Sequence, residues 1–347
     1  MKGLSIVASG LVTAVGFNSA SSLAALRAGV SGIRETYLAD RQSGNLLSGG
    51  KVDLPHWWED LGKVVDLAAP AIDECLYAAL PEEPERIPIL LGVASPDRPG
   101  RWASLDTQLL EKIELKLDLP HHPESRTFAA GQTAGIHGMI AAYDILAKRK
   151  ARCCIIAGAD SYLQQDTIDA YVAQRRIMTE DNSNGFLPGE AGAAVLVTLG
   201  GWGKGSHLQV RGLGMANEPA PIASEEPFRG EGLTEAVRLA LKDANLTLED
   251  LAWSLTDITF EHYKFKEAAF ATGRLSRDNR EDLFDIWHPI EHLGEIGAAM
   301  VPVLLAWALH AGQKDYAPGA RALCHVGNDG HERAAWVTEY IAGAKRL

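Results

Sequence analysis

Residues 132–149 carry apolar side chains at Ala134, Ile136, Met139, Ile140, Ala141, Ala142, Ile145 and Leu146. At helical spacing these cover nearly the whole circumference. A helix without a wide polar face belongs in the middle of a fold, not on its surface. Cys153 to Ala157 follows as a strand apolar on both faces and ends at Gly158. This pair constrains the chain more than any other feature. Strands and helices alternate around it: a strand from Leu4, a helix from Asn18 or Ser19 to about Arg27 with Gly29 as its left-handed C-cap, and a helix over 65–79. A buried strand follows at 89–94, an amphipathic helix over 101–117, and a strand over 193–199. Alternation with buried strands predicts α/β layering.

The 347 residues suit two domains or one large duplicated fold. The run Gly200-Gly201-Trp202-Gly203-Lys204-Gly205 is the best internal boundary, separating 1–200 from 206–347. Beyond it the pattern predicts a strand at 208–210, a helix over 233–244, a strand over 253–260 and a charged segment over 261–285. A long apolar helix over 297–311, a strand ending in a Gly-rich loop at 324–330, and a last strand over 334–341 complete the chain. Both parts carry a buried helix near a strand and a later Gly-rich loop, which hints at duplication. Residues 34–62 are less regular, and Trp57-Trp58 beside Pro55 read as a lid-like insertion.

With 33 Lys and Arg against 45 Asp and Glu, the chain carries a net charge of −12, which argues against a nucleic-acid partner. No apolar run is long enough to span a membrane. The N-terminus reads as a strand and not a signal peptide. Cys75, Cys153, Cys154 and Cys324 have neither disulfide nor metal spacing. A cytoplasmic protein without metal, flavin or nucleotide is expected, because the Gly-rich turns lack the phosphate-loop Lys-Ser/Thr spacing.

Several stretches resemble β-ketoacyl-acyl-carrier-protein synthases. Val12–Gly16 and Ala25–Ile33 resemble their opening; Gln132–Gly138 through Ile156–Asp160 resemble the nucleophile helix and following strand. Gly185–Val197 is similar to their Gly-rich turn and strand, and Leu239–Ala244 and Gly294–Ala299 to landmarks of their second half. The resemblance implies the thiolase-like fold: two βαβαβαββ halves in five layers, α-β-α-β-α, usually as a homodimer.

The chemistry departs from that family. A condensing synthase carries a Cys nucleophile at the start of the buried helix, where the helix dipole favours thiolate. Here the ungapped register puts Gln132 in that column, and a carboxamide forms no thioester. The family's two His residues stabilise an enolate. The second maps to His292, with Trp287 in place of the usual Lys. For the first, ungapped counting gives Asp257, and a five-residue insertion would give His262. Each has a plain alternative: Gln132 as a helix-start side chain, His292 and His262 as structural histidines.

With the machinery altered, the resemblance implies a catalytically degenerate protein that binds another protein. Residues 34–60 resemble ketosynthase-like proteins associated with bacterial type VI secretion effectors, so an adaptor or chaperone-like role with an effector or its adaptor is expected. The alternative is a decarboxylase of malonyl-carrier protein or a chain-length-factor-like subunit, since some relatives carry Gln in this column. The acidic balance weighs against docking an acidic acyl carrier protein.

Overall fold

The computed structural model describes residues 3–56, 60–203, 205–276 and 285–343. The first half runs β1 (Leu4–Val12), α1 (Ser19–Arg27), β2 (Ile33–Ala39), β3 (Leu46–Gly50), α2 (Leu61–Ala78), β4 (Ile89–Val93), α3 (Leu105–Lys116), β5 (Arg126–Ala129), α4 (Ala134–Ala147), β6 (Cys154–Ser161), α5 (Gln165–Ala173) and β7 (Glu190–Leu199). The second runs β8 (His207–Asn217), α6 (Glu231–Ala244), β9 (Trp253–Thr256), α7 (His262–Leu275), β10 (Asp285–Trp287), α8 (Ile290–Leu293), α9 (Met300–Gln313), β11 (Arg321–Gly327) and β12 (Glu332–Ile341).

The strand order β10-β9-β11-β12-β8-β1-β7-β6-β4-β5 makes the duplication visible. Reading outward from the β1–β8 seam, both halves have their first strand, then the last, the fourth, the second and the third. The seam itself is short, pairing Ser5 with Gln209 and Ile6 with Leu208.

Alternation along the strands builds the layers. In β6, Ile156 points into a central core with Ile136 and Met139 of α4 and Leu304 of α9, whereas Ile155 points outward to a second core with Ile72 of α2 and Leu109 of α3. On the other side, Trp336 of β12 joins the central core, and Val337 packs outward against Val237 of α6. The resulting order is α2 and α3, first sheet, α4 and α9, second sheet, α6 and α7. This is the expected five-layer α/β architecture.

Close approach in the central layer depends on small residues. A Cβ on Gly135 of α4 would stand 2.6 Å from Cβ of Val301 in α9. A Cβ on Gly158 of β6 would stand 2.0 Å from the Ala298 carbonyl oxygen.

Several elements differ from the sequence expectation. The irregular stretch after residue 33 holds the β2–β3 hairpin, whose Leu38 and Leu47 pack with Tyr162, Leu163, Ile168 and Tyr171. Trp57 and Trp58 lie outside the described residues. The charged segment after Glu261 contains α7, because its inward face buries Lys264 and Glu267 as ion-paired groups. Residues 277–284 of that segment lie outside the described residues. Asn18 caps α1 by accepting from Ser21 N–H at 2.8 Å, and Gly29 takes φ +68°, both as the sequence predicts.

Candidate functional site

Strand β5 leads into α4 through a tight turn over Gly131–Thr133, which the left-handed φ of +59° at Gly131 permits. Gln132 is thereby placed, buried, at the helix start, and its amide donates to the Tyr162 hydroxyl at 3.3 Å. Thr133 donates to the Glu332 carboxylate at the start of β12, and His137, one turn further along α4, stands 3.0 Å from the same carboxylate. The hydrogen bond His137 makes to the Glu332 carboxylate raises the His137 pKa against the effect of burial. Burial pulls Glu332 upward, but the hydrogen bonds from His137 and Thr133 outweigh it and hold the carboxyl below its usual range. The two shifts run in the directions that favour a charged pair.

Gln132, His137 and Glu332 form one wall of a cavity of about 520 Å³. The opposite wall comes from the end of β6 and the loops beyond it. Asp160, next to last in β6, pairs with buried Arg98. Its other oxygen accepts Ala298 N–H at 3.3 Å, linking the site to the turn that opens α9. The guanidinium of Arg98 stands 4.8 Å over the Tyr162 ring. Further out, Arg176 holds Glu261 through Nε (2.8 Å) and Nη2 (3.1 Å) and also holds Asp329, whose carboxylate accepts the Tyr171 hydroxyl at 2.9 Å. Burial opposes the charge on Asp329, and Arg176 overcomes it, so its carboxyl titrates below the usual range. A second cavity shares Gln174, Arg176, Ile222 and Ala223 with the first, so the cleft continues toward the surface.

Of the residues singled out from sequence, Gln132 lines this cavity. His292 does not; it sits in α8, its carbonyl accepts Gly32 N–H, and its ring lies 3.2 Å from the carboxylate of Glu291. His262 is exposed at the first position of α7, with its backbone N–H on Asn184. Asp257 directly follows β9 and is buried against Lys264 Nζ at 2.8 Å, with Gly327 N–H at 2.9 Å. A fixed ion pair therefore occupies the position that ungapped counting assigns to the first His. All four cysteines are buried and none lines the cavity. Burial pushes the Cys153 thiol up to about 12.

Sequence reading missed Arg98, Tyr162, Arg176 and Glu332, together with His137 and His331, the histidines that do line the cavity. Glu295 is fully buried, and burial lifts its pKa to about 8. Only the Gly-rich loop around Asp329 offered a local signal. The remainder are joined across long sequence separations, such as 199 residues between Thr133 and Glu332. Among the described residues no group of three His, Cys, Asp or Glu side chains is placed to hold a metal ion. No described helix is long and apolar enough to cross a membrane.

No family model matches the sequence, and no curated protein matches it. Solved structures match over essentially the full length. A ketosynthase in complex with its chain length factor from Xenorhabdus doucetiae is 14% identical, with TM-score 0.74 over 98% of both chains. The ishigamide ketosynthase/chain length factor is 18% identical, with TM-score 0.70 over 98% of this chain and 100% of that one. A type II PKS acyl-carrier protein in complex with its ketosynthase bound to the hexaketide gives 13% identity and TM-score 0.79 over 98% and 100%. At these identities the likeness shows the fold: the chain has the thiolase-like ketosynthase fold.

Proposed function

We propose that this ketosynthase-fold chain does not condense acyl units and works by binding another protein. The observation that carries the reading is Gln132: the side chain at the opening of the buried helix is an amide, and no cysteine lines the cavity beside it. The Asp257–Lys264 pair supports it: at the position counted for the first His stands a carboxylate that accepts from Lys264 and Gly327 N–H and has no hydrogen to donate to an enolate. Neighbouring structures hold this fold in complexes with a chain length factor or an acyl-carrier protein, which supports a protein partner here. The partner proposed from the 34–60 resemblance is a type VI secretion effector or its adaptor, met in the cytoplasm by a homodimer. The test is co-expression with an effector or adaptor encoded beside it. A stoichiometric complex on size exclusion is expected; a free dimer in the presence of every such neighbour overturns the partner assignment.

A second reading rests on the cavity remaining open at Gln132. It is a malonyl-carrier-protein decarboxylase or chain-length-factor-like subunit, with the Gln132 amide holding the thioester carbonyl. Incubation with malonyl-carrier protein separates the two. Acetyl product that disappears in Gln132→Ala establishes decarboxylation, and its absence leaves the binding role.

A further inference from the structure

His331 and His137 both line the cavity, and the chain holds their rings in different ways. His331 lies in the turn between β11 and β12. Its carbonyl accepts the Glu218 N–H at 2.6 Å, and its ring Nδ1 stands 2.8 Å from the Glu218 carbonyl oxygen. A carbonyl oxygen only accepts, so Nδ1 carries a hydrogen. In the uncharged ring Nε2 is then the bare nitrogen, and it has no hydrogen-bond partner among the described residues. His137 is the opposite case. Its Nε2 reaches the two oxygens of Glu332 at 3.0 and 3.1 Å, an arrangement that favours the charged ring. Its Nδ1 has no partner among the described residues and is not buried. Glu332 is itself fixed: it accepts the Thr133 hydroxyl, and its N–H donates to Asn328 Oδ1 at 3.2 Å.

Both rings can be reached. His331 is exposed, and the side chains of His137 and Glu332 are 34% and 26% exposed. Glu332 follows His331 directly in the chain, so the two rings border the same stretch of wall. A bare nitrogen beside a favoured imidazolium is an acid–base pair. The walls also select what such a pair can work on. The carboxylates of Asp97, Asp160, Asp329 and Glu332 outnumber the guanidinium groups of Arg98 and Arg176, so an anion is repelled. Asp160, Asp329 and Glu332 are held by Arg98, Arg176 and His137, which leaves no free carboxyl pair for glycoside chemistry. A volume of about 520 Å³ suits a small organic molecule.

We propose that His331 and His137 act as general base and general acid in the hydrolysis of a small uncharged carboxylic ester taken into this cavity. His331 Nε2 takes a proton from water as the water oxygen bonds to the ester carbonyl carbon. The bond from that carbon to the alcohol oxygen breaks, and its electron pair stays on the oxygen. His137 Nδ1 gives this oxygen a proton, while Glu332 steadies the ring through Nε2. One ester and one water become one carboxylic acid and one alcohol. Solvent then removes the proton from His331 and returns one to His137. The acid ionises, and the carboxylate-rich wall favours its departure. This activity is independent of the protein-binding reading, so failure of one does not touch the other.

The test is steady-state hydrolysis by the full-length protein of ethyl butyrate, p-nitrophenyl butyrate and, as the anionic control, monoethyl succinate. Saturable turnover of both butyrates is expected, with kcat/KM for ethyl butyrate about tenfold or more above that for monoethyl succinate. His331→Gln should lower kcat about a hundredfold on both butyrates. His137→Gln should do so on ethyl butyrate alone, because p-nitrophenolate leaves without needing a proton. Glu332→Gln still accepts from Thr133 but carries no charge, and should lower kcat on ethyl butyrate with little change in KM. Should a histidine variant fail to fold, Glu332→Gln supplies the same split between the two leaving groups. No saturable hydrolysis of either butyrate, a preference for monoethyl succinate, full activity in a folded His331→Gln variant, or equal losses on both butyrates in a folded His137→Gln variant would each overturn the proposal.

Discussion

At the scale of single residues, the proposed loss of condensation turns on Gln132 but not on Gln132 alone. Replacing it with Cys restores a sulfur at the start of α4 without restoring its surroundings, because Asp257 is locked to Lys264 and His292 lies off the cavity. Gln132→Cys is expected to react with iodoacetamide and still give no condensation product from acyl- and malonyl-carrier protein, read by mass spectrometry. Glu295 gives a pH-dependent counterpart. Its carboxyl titrates at about 8 in the folded chain against 4.5 as its ordinary value, so the folded state keeps a proton that the unfolded state has lost. Its contribution to stability is whole below about 4.5 and drains away as pH rises toward 8. Glu295→Gln mimics the protonated acid and can still accept the Gly297 N–H. Melting temperatures of the two proteins should match near pH 5, and the variant should lead by roughly 2 °C or more at pH 8.5. Arg176→Met strands Glu261 inside the protein, with half-buried Asp329 adding less, and should cost about 3 kcal/mol in urea unfolding. The site was partly legible from sequence: Gln132 stood out against a motif. Its neighbours Tyr162, Arg98 and Glu332 did not, since no local spacing announces side chains that only the sheet order brings together.

At the scale of elements, the apolar helices were readable and the charged one was not. Helix α4 advertises its burial through Ile136, Met139 and Ile145, and α9 through Val303, Leu304 and Leu305. Helix α7 conceals its inward face, because Lys264 is spent on Asp257 and Glu267 on Arg333. Hydropathy counts such residues as solvent-facing, so a helix resembles a loop. The hairpin β2–β3 escaped notice for a related reason. It is short and contributes only Leu38 and Leu47 to a cluster built mainly by residues from 162 onward. The packing of α9 against β6 leads to a prediction. The Gly158→Ala methyl would collide with the Ala298 carbonyl, a backbone atom that cannot swing aside. A loss of about 1–3 kcal/mol in unfolding free energy is expected, with the larger value if the turn before α9 cannot shift.

At the scale of the whole molecule, the two halves share their interior. Helix α9 belongs to the second half by sequence, yet Leu304 and Trp307 sit in the same central core as Ile156 and Val195 of the first. Residues 1–200 expressed alone should therefore expose the apolar face that α9 covers, bind a hydrophobic dye and fail to give a cooperative unfolding transition, checked by fluorescence and calorimetry. The chain crosses from β7 to β8 through a short Gly-rich connection, and β1 meets β8 over only two residue pairs. What unites the halves is thus the buried helix pair and not the peptide link between them. Severing that link should leave a complex that stays associated, and two separately encoded pieces should find each other during synthesis. In that sense the molecule is a two-subunit assembly carried on one polypeptide, and the connection between β7 and β8 should accept insertion of a tag or a foreign domain.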